Sequence, residues 1–276
     1  MKNWIEGARP RTLPAAIAPV AVGTAMANTK IEIVNLLLAA TVGLALQIGV
    51  NYANDYSDGI RGTDTNRVGP KRLVASGAVP AKSVRAAAFF AFAIAAISGS
   101  YLSVRTNPYL ILIGIFAIIA AWGYTGGKNP YGYKGLGEVF VFIFFGLVAT
   151  IGSYYVQNPN LNVKIFLAAT ACGLTACSLL MINNIRDLAN DAKIGKNTLA
   201  VKLGETSARA VYSGFLFFAV LITTPISWIT LFALPLASSL SKEVSTKKGG
   251  ELIATLGKTG RYQLLLALLI IIGAKI

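Results

Sequence analysis

Six stretches of this chain run for the depth of a bilayer core with almost no charge in them, at 12–28, 31–54, 86–104, 108–125, 139–157 and 165–185, and another follows at 262–274. A helix needs roughly 17–25 apolar residues to cross the hydrocarbon layer. Inside lipid every backbone N–H and C=O must be satisfied within the segment, so runs of this kind can only be helices or barrel strands, and these are too long and too uniformly apolar for strands. The reading is therefore all-α: a polytopic membrane bundle, one integral-membrane domain over residues 1–276. Composition agrees, because 13% charged residues against 55% hydrophobic ones leave too few charges to cover a water-facing surface. The first run, Thr12 to Ala27, leads directly into further spans and reads as a retained helix rather than a cleaved signal.

The uncharged stretch from Ala210 to Leu240 is broken at Thr224-Pro225 and fits either one tilted helix or two shorter ones. Charge parity separates the two. With a pair, about nine spans result, and the segments 1–11, 55–85, 126–138, 186–209 and 241–261 share one side and carry 21 of the 25 Lys and Arg, leaving Lys30, Arg105, Lys164 and Lys275 opposite. That asymmetry is the positive-inside signal, which places the N-terminus and the basic loops in the cytoplasm of a multi-pass protein of the cell inner (plasma) membrane. It also accounts for the net charge of +14 without a nucleic-acid partner, which would need a clustered basic footprint. Small-residue groups such as Ala86-Ala87-Ala88 suit close helix packing in lipid.

The chain has no histidine, and its two cysteines, Cys172 and Cys177, lie five apart in one apolar run. Zinc, haem and histidine-based catalysis lose their usual ligands and bases, and any metal must be a hard one held by oxygen. All five aspartates fall in two places: Asp55, Asp58 and Asp64 after the second run, Asp187 and Asp191 after the sixth. Spacings of three and four put each pair on one helix face. Helix C-termini carry partial negative charge, so carboxylates there work against stability and call for another role. A magnesium ion supplies one, since it takes one or two carboxylates and bridges to phosphate oxygens. Asn51, Asn54, Asn183 and Asn184 add neutral oxygens to the candidate metal set, and the N-x-x-x-D spacing common to both places suggests two half-sites clamping one diphosphate. Arg61, Lys71, Arg72, Lys193 and Lys196 are the candidate diphosphate-binding cations, and the glycines from Gly59 to Gly77 make the first loop turn-rich.

At these residues the chain resembles the UbiA-type intramembrane aromatic prenyltransferases. The first motif reads Asn54-Asp55-x-x-Asp58, with Gly62 where the general pattern has a third acid and Asp64 nearby; the second has Asn184 where many members carry Asp, followed by Asp187 and Asp191. Both departures resemble the branch that prenylates 1,4-dihydroxy-2-naphthoate. So do Ala8-Arg9-Pro10-Arg11-Thr12-Leu13-Pro14, Tyr124-Thr125-Gly126-Gly127, Pro130-Tyr131-Gly132-Tyr133 through Gly137-Glu138, Gly195-Lys196-x-Thr198-Leu199-Ala200-Val201, and Thr259-Gly260-Arg261 at the expected start of the final helix. The resemblance implies a nine-helix bundle with Mg²⁺ and a polyprenyl diphosphate at its cytoplasmic mouth. It also implies electrophilic substitution on the naphthoate ring with loss of CO₂ to give demethylmenaquinol, the prenyl tail lying along an apolar groove in contact with lipid.

For the aromatic substrate the residues leave alternatives open. Tyr124 and Tyr131 suit either the ring or interfacial anchoring; Arg9 and Arg11 suit either its carboxylate or topology. Lys128 is equally open, and Glu138 suits either a proton acceptor or a partner for Lys134. A transporter would keep its functional charges near mid-membrane on interrupted helices, whereas these acids sit at helix ends on one side. A phosphatidyl group transferase would follow Asp58-Gly59 with Ala-Arg rather than Gly62-Thr63. A sister enzyme with another aromatic acceptor is the nearest alternative.

Overall fold

The apolar runs fold as helices in the computed structural model, which describes residues 2–63 and 72–276. In chain order these are α1 (Lys2–Ala8), α2 (Pro14–Met26), α3 (Ile33–Arg61), α4 (Ala81–Arg105), α5 (Leu110–Gly123), α6 (Gly137–Val141), α7 (Ala149–Tyr155), α8 (Val163–Lys193), α9 (Leu199–Leu203), α10 (Glu205–Leu221), α11 (Leu234–Thr246) and α12 (Leu252–Gly273). A π-helical stretch, Phe142–Val148, joins α6 to α7 into one helix. Among the described residues five helices are long and apolar enough to cross a membrane: Ile33–Arg61, Ala81–Arg105, Gly137–Tyr155, Val163–Lys193 and Gly249–Gly273. Pro14–Met26 and Leu110–Gly123 are shorter and apolar. No strand occurs among the described residues. The stretch 210–240 is two helices, broken by the turn that holds Thr224-Pro225.

Several boundaries differ from the sequence reading, and for one reason. The expected runs end where charge begins, but α3 runs on to Arg61 and α8 to Lys193, so Asp55, Asp58, Asp187 and Asp191 lie inside the helices rather than after them. A helix does not stop at an acid whose carboxylate faces an interior. Likewise α12 begins at Leu252, which puts Thr259-Gly260-Arg261 within the helix instead of at its start. Gly62 explains the missing third acid. It closes α3 in the left-handed conformation, φ 72°, with its N–H donating to Asp58 and Gly59 carbonyls, a backbone state that glycine reaches without strain.

Helix α8 is the buried axis, packed by α2, α7, α10 and α12 around Met181, Ile182, Tyr212 and Tyr262. A second group gathers Tyr52, Ala53, Val84 and Phe92 between α3 and α4. In lipid, helices associate through packing rather than escape from water, so small residues at contacts count most. A Cβ on Gly146 would lie 2.5 Å from the Cα of Gly173, backbone against backbone, at the crossing of the π-helical stretch with α8. Phe90, Ile97, Val104, Phe116 and Ile119 on α4 and α5 are exposed, as lipid-facing residues should be. Between the two packed groups lies a cavity of about 1460 Å³, lined from α2, α3, α4, α5, the α6–α7 helix and α8. Gly146→Leu is expected to force these two backbones apart, lowering the unfolding temperature in detergent sharply, since overpacking costs about 1–3 kcal/mol or more; thermal scans against wild type test this.

Candidate active site

Asn51, Asn54, Asp55 and Asp58 follow one another at intervals of three, one and three, so α3 presents them along one face. All four are buried, and each draws in a different part of the chain. Asn51 Nδ2 donates to the Ala8 carbonyl at 2.9 Å and to Thr12 Oγ1 at 3.1 Å, fixing the N-terminal segment. Thr125 Oγ1 donates to Asn54 Oδ1 at 2.8 Å. The Asp55 carboxylate accepts the backbone N–H groups of Leu73 and Val74, one on each oxygen, both at 3.0 Å. Asp58 accepts from Tyr133 Oη at 2.8 Å and from Lys196 Nζ at 3.3 Å.

Asn51, Asn54 and Asp55 line the cavity and make the hydrogen bonds described above to the protein's own loops, and Asp58, at the same cavity, is held by the side chains of Tyr133 and Lys196. Arg61 behaves the same way: its guanidinium donates to the Thr125 and Gly127 carbonyls and stacks over Tyr133 at 5.4 Å, and it does not line the cavity. Asp64 and Lys71 lie outside the described residues.

Opposite, α8 presents Asn183, Asn184, Asp187 and Asp191 to the cavity. Arg186 grips Asp187 with two 2.7 Å hydrogen bonds, both side chains buried. Asn184 Nδ2 donates to Glu138 Oε1 at 3.0 Å, and Asn183 Nδ2 returns to the Leu179 carbonyl at 2.8 Å. Lys196 joins the two helices. Its backbone N–H donates to the Asp191 carbonyl at 2.9 Å while its ammonium reaches Asp58 and lies 4.9 Å from the centre of the Tyr133 ring. Buried Arg72 lines the same space. Lys193 and Lys128 are exposed and do not line it.

Arg9 and Arg11 line the cavity, and Arg9 holds φ 53°, a left-handed conformation that is unfavourable for a residue with a side chain. Tyr124 and Tyr131 line it too and open an aromatic ladder: Tyr124 to Tyr131, 5.5 Å between centroids; Tyr131 stacked on Phe140 at 3.9 Å; Phe140 to Phe144 at 6.3 Å. Burial raises the Tyr131 phenol, and burial with Asp58 alongside raises Tyr133, so both stay protonated and able to donate. Glu138 does not pair with Lys134, which is exposed.

Tyr133, Arg186, Phe140 and Phe144 are site residues that the motif reading passes over. Arg186 lies within the second motif and the two phenylalanines within the apolar run 139–157, where nothing in the local pattern singles them out. Only the position of Tyr133 in the Pro130–Glu138 segment offered a signal.

Among the described residues no three acidic or thiol side chains converge as a preformed metal cage. The donors are nevertheless hard oxygens held by displaceable cations. That suits a magnesium ion arriving with phosphate oxygens, which takes few protein carboxylates.

The model of the UbiA prenyltransferase family matches residues 16–241. The chain belongs to that family. The 1,4-dihydroxy-2-naphthoate octaprenyltransferase of Mycobacterium tuberculosis is 46% identical to it, covering 96% of this chain and 94% of the relative. The protein of the same description from Haemophilus influenzae is 36% identical over 100% and 96%. Among solved structures, a UbiA homolog from Archaeoglobus fulgidus bound to DMAPP and Mg²⁺ superimposes with a TM-score of 0.72 at 14% identity, covering 99% of both chains. The fold is thus that of the family, and the chain is a multi-pass membrane prenyltransferase.

Asp55→Ala leaves two backbone N–H groups unpaired, each worth about 1–3 kcal/mol when buried. Hydrogen exchange at Leu73 and Val74 should accelerate by roughly tenfold or more relative to wild type, while the spans stay protected.

Proposed function

We propose that this prenyltransferase moves a polyprenyl group from its diphosphate to 1,4-dihydroxy-2-naphthoate, releasing CO₂ and diphosphate and giving demethylmenaquinol. One observation carries the reading: a single cavity has an ionic mouth, made by Asp58, Asp187, Asp191, Arg72, Arg186 and Lys196, and continues between helices along Leu46, Leu102, Ile113, Ala117, Leu147 and Val148. A diphosphate with a long apolar tail is the ligand such a shape fits. The naphthoate comes from the relatives so named, to which this chain is similar nearly end to end.

Magnesium, when bound through Asp58, Asp187 and Asp191, supplies Lewis-acid stabilisation of the leaving diphosphate. The chain's own cations share that task. Arg72, Arg186 and Lys196 face the place where negative charge accumulates as the allylic C–O bond breaks, and fixed charges there favour the transition state over the ground state. The Tyr131–Phe140 wall offers ring faces to the allylic cation. Arg9 and Arg11 are the candidates for the naphthoate carboxylate, a pairing suited to the guanidinium fork. The ring carbon bearing that carboxylate forms the new C–C bond, and the electron pair of the broken C–CO₂ bond returns to the ring. No ring proton has to be removed, which agrees with a site that has no histidine.

The whole chain, residues 1–276, acts as one domain in the inner membrane. Its N-terminus and active-site loops face the cytoplasm, as the distribution of Lys and Arg supports.

Asp58→Asn and Asp187→Asn should each remove Mg²⁺-dependent prenyl transfer, by about 10²-fold or more on the scale of lost electrostatic catalysis, while the proteins remain folded in detergent. Normal turnover in either would overturn the metal assignment. Incubating the purified protein with one prenyl diphosphate and a panel of aromatic acids, then weighing the products, tests the acceptor. A prenylated naphthalenediol lacking the carboxyl mass is expected, and product only from hydroxybenzoate or homogentisate would replace it with a sister activity.

A further inference from the structure

Glu138 is a buried carboxylate, 5% exposed, that the reaction does not use. It stands in the first turn of α6, where a negative charge is favoured by the helix dipole. Its carbonyl accepts the Cys177 thiol, tying α6 to α8, and its side chain turns to Asn184. Oε1 accepts the 3.0 Å hydrogen bond from Asn184, and Oε2 is buried with no hydrogen-bond partner among the described residues. A carboxylate only accepts, so the amide must offer it NH₂, and this fixes which end of Asn184 faces the other way. Asn184 lines the cavity, and its Oδ1 has no hydrogen-bond partner among the described residues.

Asn184, Asp187 and Asp191 stand at intervals of three and four on α8, all three at the cavity. An aspartate in place of Asn184 would bring two carboxylates into contact, both buried, at the distance where like charges disfavour ionisation most. We infer that Glu138 and Asn184 form one transposed acid. The charge absent from position 184 sits on Glu138, and Asn184 relays it, its NH₂ bound to the carboxylate and its carbonyl oxygen turned to the magnesium–diphosphate site. Glu138 is thus a positioning residue. Its hydrogen bond orients the amide and raises the electron density on Oδ1, as partners behind a metal ligand do. This rests on the prenyl diphosphate reading above.

The inference has a reciprocal test, because the pair carries the same charge when its members are exchanged. Wild type, Glu138→Gln, Asn184→Asp and the double variant are purified in detergent. Calorimetry then measures binding of geranyl S-thiolodiphosphate, a poorly reactive analogue, across a Mg²⁺ titration, and thermal unfolding is read with and without Mg²⁺. Each single variant should weaken Mg²⁺-dependent binding about tenfold or more, the usual effect of losing a partner behind a metal ligand. In the double variant the new amide on α6 can donate to the new carboxylate on α8, and affinity should return to within about threefold of wild type, on the strength of coupled pairs being non-additive. Unfolding without Mg²⁺ should be little changed in Glu138→Gln. Additive losses in the double variant, or wild-type Mg²⁺ dependence in Glu138→Gln, would sink the transposed acid. If Asn184→Asp does not fold, Glu138→Gln decides alone: a weakened Mg²⁺ response at unchanged metal-free stability supports the inference, and any other result overturns it. Absence of Mg²⁺-dependent binding in the wild type would instead strike the prenyl diphosphate reading, and the inference with it.

Discussion

A polar helix end buried in a membrane protein has to find partners, and the last three turns of α3 set that problem for the whole molecule. Asn51, Asn54, Asp55 and Asp58 are all withdrawn from solvent. An unpaired polar group at low dielectric costs several times what its hydrogen bond contributes in water. The solution is to bring the loops to the helix. The N-terminal segment, the Leu73–Val74 backbone, the Thr125 turn, Tyr133 and Lys196 all end on these four side chains. The loops that roof the cavity are placed by this demand more than by contacts among themselves, and their positions and the site geometry are two aspects of one requirement.

The two acidic motifs then divide the work unequally. On α3, Asn51, Asn54 and Asp55 hold loops in place while Asp58 takes Tyr133 and Lys196; on α8, Arg186 pairs with Asp187 and Asn184 turns to Glu138, so that Arg186 and Lys196 neutralise acids on both sides. Pairing buried acids with cations that belong to the same site keeps the ligand-free protein from holding uncompensated charge. Under the proposed function it also means that an incoming diphosphate would exchange partners with groups already in place, at little cost in reorganisation.

Much of this was legible in the sequence, and what was not has a physical reason. The spans were readable because lipid imposes both length and backbone satisfaction, and the break at Thr224-Pro225 followed from counting charges by side. The acids were readable because they clustered. Helix ends were misplaced where an acid turns inward: hydropathy sees the charge of Asp58 or Asp187, not its direction. The loop-anchoring role of Asp55 left no trace, since its partners are backbone N–H groups of Leu73 and Val74, which any residue type but proline would supply. Gly62, read as a departure from the general motif, is the left-handed stop that ends α3. The partnership of Glu138 with Asn184 spans 46 residues and joins two helices, so no local pattern announces it.

The π-helical stretch Phe142–Val148 has a further meaning for how such a chain can change over time. A π turn holds one more residue than an α turn, and each residue advances a helix by roughly 100°. It therefore acts as a phase shifter, letting Glu138 and Phe140 address the site at one end while Gly146 seats against Gly173 in mid-bundle. Removing any one residue of the stretch would let it relax to α-helix and turn one of these faces away from α8. The length of the segment is therefore as constrained as the small residue at Gly146.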